Sequence, residues 1–264
     1  MQVLRLFGIA LGFLTRLPVR LKRPPTEQEL GASIALFPLV GTLVGLLSAG
    51  AGLVGRYLVE PSGWAPGSAA GAIAGGTVAA GAGAVLYVVV NTLVTGGLHL
   101  DGLSDVADGL AVGDPVSALE VMKDSHAGVM GVIWLIVDIL ARFVLAQALL
   151  LPGLVGWLVV APVAGRAAQA IVISRYPYAR NSGTGKAFSQ NARAVHSMIA
   201  AVLVLGAGMC LGPAGPAVTM VSILVAWGWG KLLARWLGGL TGDTYGSINE
   251  VCELVFLFGA VVLT

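Results

Sequence analysis

Asp101, Asp105 and Asp108 stand four and three residues apart in the stretch His99-Leu-Asp-Gly-Leu-Ser-Asp-Val-Ala-Asp-Gly109. On a helix that spacing puts three carboxylates on one face, about a turn apart. Unpaired, they repel one another. Either free solvation or a divalent cation relieves the repulsion, and hard oxygen donors select Mg²⁺, Mn²⁺ or Ca²⁺ over zinc. A solvated acidic loop is the plainer reading of spacing alone. The setting tips the balance: six of the chain's thirteen carboxylates fall between Asp101 and Asp124, in a protein otherwise built from apolar residues.

The elements that must position these acids are membrane helices. Of 264 residues, 57% are hydrophobic and 11% charged, with mean hydropathy +0.90, whereas soluble domains carry roughly 25% charged residues. The 38 glycines suit helices whose backbones approach closely in lipid, and the run from Gly71 to Gly83 reads as such a face. Seven apolar stretches, about 31–59, 66–97, 128–151, 153–174, 195–212, 216–237 and 248–264, span or nearly span a bilayer at roughly 20 residues each. The first eighteen residues carry Arg5 and Arg16 and end at Pro18. They read as an interfacial helix, not a cleavable signal, since no small-residue cleavage site follows. The expected fold is all-α: a polytopic integral membrane bundle of about seven transmembrane helices plus the N-terminal interfacial helix, in one membrane-embedded domain over residues 1–264. Cys210 and Cys252 lie in apolar segments and read as buried small hydrophobes.

Seven spans segregate the basic residues. Outside the spans every Lys and Arg falls on one side, and the opposite loops at 60–66, 151–153 and 212–215 contain none, with only Arg56 near one. The positive-inside rule places the charged side in the cytoplasm, so the expectation is a multi-pass protein of the cytoplasmic (inner) membrane whose active face is cytoplasmic. Lys231 and Arg235 close the sixth span on that same side, and two arginines remain deeper within spans. Arg142 follows Asp138 by four residues and reads as a structural i, i+4 pair. Arg166 has no local partner. An unpaired charge inside a membrane costs at least ~2.5–3.5 kcal/mol, which points Arg166 to a polar cavity where it meets a phosphate.

Four stretches share the basic side: the acids at 99–109; Lys123-Asp124-Ser125-His126; Arg175 to Lys186, with three cations, two tyrosines and two glycines; and Gly238 to Gly246 with Asn249, Glu250 and Glu253 beyond. Together they form a complementary set for phosphate. Carboxylates with a dication bridge its oxygens, arginines grip them in bidentate fashion, and glycines let backbone N–H groups approach. Transfer at phosphorus needs positioning and charge neutralisation more than covalent chemistry. Singly the stretches are ordinary: the cations at 175–193 also set sidedness, the glycines make a turn, and His126 alone reads as a surface histidine.

Taken together, Thr15-Arg-Leu-Pro18, Phe37-Pro-Leu-Val-Gly41, Thr95-Gly-Gly-Leu-His-Leu-Asp-Gly-Leu-Ser-Asp105, Lys123 to His126, Arg175-Tyr-Pro-Tyr-Ala-Arg180 and Gly239-Leu-Thr-Gly-Asp-Thr244 resemble the cobalamin synthase family over about residues 4–259. The resemblance implies a ribazoletransferase. Adenosylcobinamide-GDP is the donor and α-ribazole, or its 5′-phosphate, the acceptor. A ribose hydroxyl attacks the phosphorus next to the cobinamide, and GMP leaves. It also implies Mg²⁺ as cofactor, membrane lipid and the two substrates as partners, and no nucleic acid; a homo-oligomer is left open. Carried onto this chain, Asp101, Asp105 and Asp108 hold the metal. One of them, or His99 or His126, takes the acceptor's proton. Arg166, Arg175 and Arg180 neutralise phosphate, Asp124 and Thr241 contact substrate, and Asp243 and Glu250 either complete the metal site or contact the acceptor.

Two rivals stand beside this reading. A CDP-alcohol phosphotransferase shares Asp105-Val-Ala-Asp108-Gly109, but Val112 replaces the arginine of that pattern and its later aspartates are missing. A cation or metabolite transporter would carry its acids near midspan, where this sequence places only Asp138.

Overall fold

The computed structural model describes residues 2–59, 69–124 and 126–264, with 69–74 given by backbone alone. The 60–66 loop, the start of the second span and Ser125 lie outside the described residues. In chain order the helices are α1 Gln2–Leu14, α2 Glu27–Ser33, α3 Phe37–Val59, α4 Ala69–Thr95, α5 Leu98–Val112, α6 Pro115–Val121, α7 Val129–Leu150, α8 Val155–Arg175, α9 Thr184–Asn191, α10 Ala194–Met209, α11 Gly215–Leu237 and α12 Gly242–Leu263. The protein is all-α and multi-pass. Among the described residues six segments are long and apolar enough to cross a bilayer; a seventh is reached when α9 and the 16-residue α10, which meet at a bend of 97°, are taken as one broken span.

α8 is the hub. Its most apolar stretch is 83% buried, against 22% for α7, which turns Val137, Leu140 and Val144 outward as lipid-facing surface. At the N-terminus, α1 buries Ile9, Ala10 and Leu14 and leaves Val3 and Leu4 exposed. It is strapped to the next helix by Glu29, which accepts from Arg5 (2.7 Å) and Arg23 (2.8 Å) and also closes the Thr26 capping box of α2.

One boundary that bears on the site differs from the hydropathy reading. The last span begins at Gly242, not 248. Thr241 caps it, its hydroxyl accepting from the Thr244 amide at 3.2 Å while Thr244 Oγ1 accepts from the Thr241 amide at 2.8 Å. Asp243 then complements the helix dipole in the first turn. These polar residues hide the start from any hydropathy average. Cys210 is exposed at the end of α10, while Cys252 is buried as expected.

α5 crosses the start of α12 backbone to backbone. A Cβ on Gly102 would lie 2.5 Å from the Asp243 carbonyl oxygen, and one on Gly246 would lie 3.0 Å from the His99 carbonyl oxygen. Only glycine at both positions permits this approach, and it brings the acids of two helices together.

Candidate active site

Asp101 and Asp105 of α5 face Asp243 of α12 at the basic face. Burial, reinforced by the charges of Asp243 and Asp101, pushes the Asp105 carboxyl up to about 7. Among the described residues one cation answers this excess: Arg180, whose guanidinium stands 2.8 Å from Asp243 Oδ2. Arg180 is held there by a short parallel bridge between Tyr178 and Leu240, in which the Ala179 amide donates to the Leu240 carbonyl (2.8 Å) and the Leu240 amide to the Pro177 carbonyl (2.9 Å). The two loops that the sequence placed on one side are therefore stitched together.

Asp108 is turned elsewhere. Its oxygens accept from the amides of Gly128 (2.7 Å) and Gly131 (2.8 Å), at the N-terminus of α7. A Cβ at either glycine would collide with the carboxylate. The shared helical face is real, but the third acid is taken up as a cap from a neighbouring element. Among the described residues, no three His, Cys, Asp or Glu side chains converge into a ready metal cage.

Below this cluster lies a second, fully buried one. Arg142 of α7 meets Asp138 at 3.4 Å, Glu253 of α12 at 2.5 Å, and Glu250. Arg166 of α8, with no solvent exposure, pairs with Glu253 and directs its other terminal nitrogen to His99 Nδ1 at 3.4 Å. Asn249 donates to both glutamates. Arg142 thus gathers more partners than the i, i+4 pair, and Arg166 has a partner 87 residues away instead of a free cavity. Asp138 is not the sole deep acid: the earlier start of α12 carries Glu250 and Glu253 about two to three turns inward. Arg166 and Glu250 are engaged with protein charges.

The remaining expected residues scatter. His126 and Asp124 pair at 2.6 Å on the exposed turn before α7, and that contact raises the His126 pKa. Arg175 is exposed beside Tyr176, in a separate groove with Lys186. Thr241 is buried as the α12 cap and also donates to Asp243 at 3.3 Å. His99 is 2% exposed, and burial together with the Arg166 and Arg142 charges pushes its pKa well down, so its ring is neutral. Gln169 was missed by sequence reasoning. It sits in α8, 3% exposed, one turn beyond Arg166 toward the site, and donates to the Tyr245 carbonyl at 3.0 Å. Its polarity in an otherwise apolar span was the available signal.

Fold and site together define a multi-pass helical membrane protein with carboxylates from two helices and one arginine converging at its basic face. The chain belongs to the cobalamin-5-phosphate synthase family, whose sequence model matches residues 6–261. The adenosylcobinamide-GDP ribazoletransferase of Pseudomonas entomophila is 35% identical over 260 residues, covering 97% of this chain and 98% of its own length. The proteins of the same name from Desulforamulus reducens (34% over 252 residues, covering 95% and 93%) and Pseudomonas aeruginosa PAO1 (34% over 261 residues, covering 97% of each) are similar as well. No solved structure matches the chain.

Proposed function

We propose that this protein transfers the adenosylcobinamide-phosphate group of adenosylcobinamide-GDP to α-ribazole or its 5′-phosphate, releasing GMP. The family and its similarly named relatives support the reaction. The observation that carries it to these residues is the meeting of Asp101, Asp105 and Asp243 under Arg180. A ribose hydroxyl of the acceptor forms the new P–O bond, the bond to the departing GMP oxygen breaks, and the hydroxyl proton passes to a carboxylate of this cluster. Arg180 exchanges its partner Asp243 for a phosphate oxygen. Arg175, exposed on the same face, meets outlying phosphate charge.

Mg²⁺ fits this donor set. All the groups are hard oxygens, and burial, reinforced by their mutual repulsion, holds Asp105 far above the usual carboxylate range. Mg²⁺ sites commonly use one or two carboxylates plus substrate phosphates and water, so a closed protein cage is not required. Asp101, Asp105 and Asp243 are the residues to hold it, because Asp108 is committed to α7. The ion's contribution is to neutralise charge developing on the diphosphate. The positive-inside rule supports a cytoplasmic location for this face, in the inner membrane.

The test is GMP release by the purified protein supplied with adenosylcobinamide-GDP, α-ribazole and Mg²⁺, with EDTA expected to abolish it. An Asp105→Asn protein that stays active and Mg²⁺-dependent would remove the proposed metal site. A wild-type protein that releases no GMP would remove the reaction.

A further inference from the structure

The N-terminal strap, α1 with the loop that leads to α2, carries none of the charged groups of the site described above. It is pinned at the basic face. The Arg16 amide donates to the Val94 carbonyl (2.8 Å) at the end of α4, and Arg5 and Arg23 close on Glu29. α1 buries Ile9, Ala10 and Leu14 but leaves Val3 and Leu4 65% and 77% exposed. A helix that turns apolar side chains outward beside cations lies at the membrane–water boundary.

Two hollows meet on this strap. The first, of about 440 Å³, runs between α1 and α9, and none of its lining side chains is charged. On α1 its floor is Gly8 and Gly12. A Cβ at Gly12 would meet nothing closer than Val19 at 3.7 Å, so the hollow is in part the space that absent side chains leave. The second, of about 570 Å³, shares Gly8, Val19 and Leu21 with the first. Arg5, Arg20, Lys22 and Arg23 line it, with Glu29 the one acid among them. Arg5 and Arg23 share that acid. Arg20 and Lys22 are exposed and make no ion pair among the described residues.

We propose that the strap binds one anionic phospholipid of the surrounding bilayer, with an acyl chain in the groove between α1 and α9 and the phosphate on Arg20 and Lys22. Charge complementarity fixes the occupant. A free phosphate or nucleotide would answer the cations and leave the groove empty. An uncharged lipid would fill the groove and leave the cations unanswered. An anionic leaflet draws Lys and Arg that stand at its surface, and the apolar slot opens from that same rim. The inner end of the slot, at Phe13 and Thr184, also walls the cavity beside Asp101 and Asp243, so the lipid's tail reaches the edge of the active site. This binding goes beyond the transfer reaction and does not depend on it.

The test is lipid binding to the purified, delipidated protein in detergent, read by native mass spectrometry. Phosphatidylglycerol and phosphatidylcholine with identical chains are the probes. Wild type is expected to hold phosphatidylglycerol about thirtyfold more tightly, the worth of two basic side chains at an anionic headgroup. The double variant Arg20→Gln, Lys22→Gln should bring phosphatidylglycerol down to the affinity of phosphatidylcholine and leave phosphatidylcholine unchanged. Gly12→Leu grows a side chain into the groove and should weaken both lipids about tenfold, the worth of roughly two buried methylenes. Neither glycerol phosphate nor saturating adenosylcobinamide-GDP should displace the bound lipid. Equal affinity of wild type for the two lipids overturns the proposal, as does a double variant that keeps the preference. Unchanged binding by a folded Gly12→Leu protein removes the acyl chain from the groove and overturns it too. Displacement by glycerol phosphate would make the rim a simple anion site, and displacement by adenosylcobinamide-GDP would make the groove a substrate surface; either overturns the lipid assignment. If Gly12→Leu does not fold, the double variant, altered only at exposed positions, decides.

Discussion

The molecule holds two clusters of charge a few helical turns apart, and they are built on opposite principles. In the inner one, Asp138, Glu250 and Glu253 each face Arg142 or Arg166, and α7, α8 and α12 are tied together by side chains without access to water. In the outer one, Asp101, Asp105 and Asp243 share a single arginine. Balanced charge within a membrane serves the fold, because each ion's desolvation is offset by a partner. Unbalanced charge at the rim is stored repulsion that a cationic or phosphate-bridging ligand relieves. Asp108, which answers backbone amides instead of a cation, belongs with the first kind although its sequence neighbours belong to the second.

Variants should separate the two. Arg166→Met strands Glu253 and is expected to cost about 3–5 kcal/mol, as for other broken buried pairs, read as a lowered thermal unfolding midpoint in detergent. A protein that melts like wild type would break the distinction. Asp105→Asn should leave the melting curve in place and lower GMP release by at least ~100-fold, or about 2.7 kcal/mol of barrier. Asp108→Asn is the sharpening case. Loss of one capping bond and the charge–dipole interaction is expected to cost about 1–2 kcal/mol of stability while Mg²⁺-dependent turnover persists; loss of activity at unchanged stability would return Asp108 to the metal set. His126→Ala, on an exposed pair with Asp124, should alter neither melting nor turnover measurably.

What the sequence disclosed was whatever depends on local spacing. Hydropathy located the spans, sidedness gathered the polar loops, and the i, i+4 step from Asp101 to Asp105 put both carboxylates where α12 meets them. What it hid depends on contacts across the chain. Nothing near Arg166 announces Glu253, and nothing in the helical spacing of Asp108 tells that α7 will begin against it. The start of α12 was hidden differently: Thr241 and Thr244 form a reciprocal cap, a signature that hydropathy averaging erases. Gln169 was masked by its neighbours, since one polar residue in an apolar turn changes no periodicity.

α10 carries a further implication. Its 16 residues extend only about 24 Å at 1.5 Å per residue, short of a hydrocarbon core about 30 Å thick. A helix that short crosses only where the bilayer thins or where α9, bent from it by 97°, completes the crossing, and each ångström of mismatch carries a small cost. α9 and α1 line an apolar groove of about 440 Å³, so any mismatch falls next to that groove.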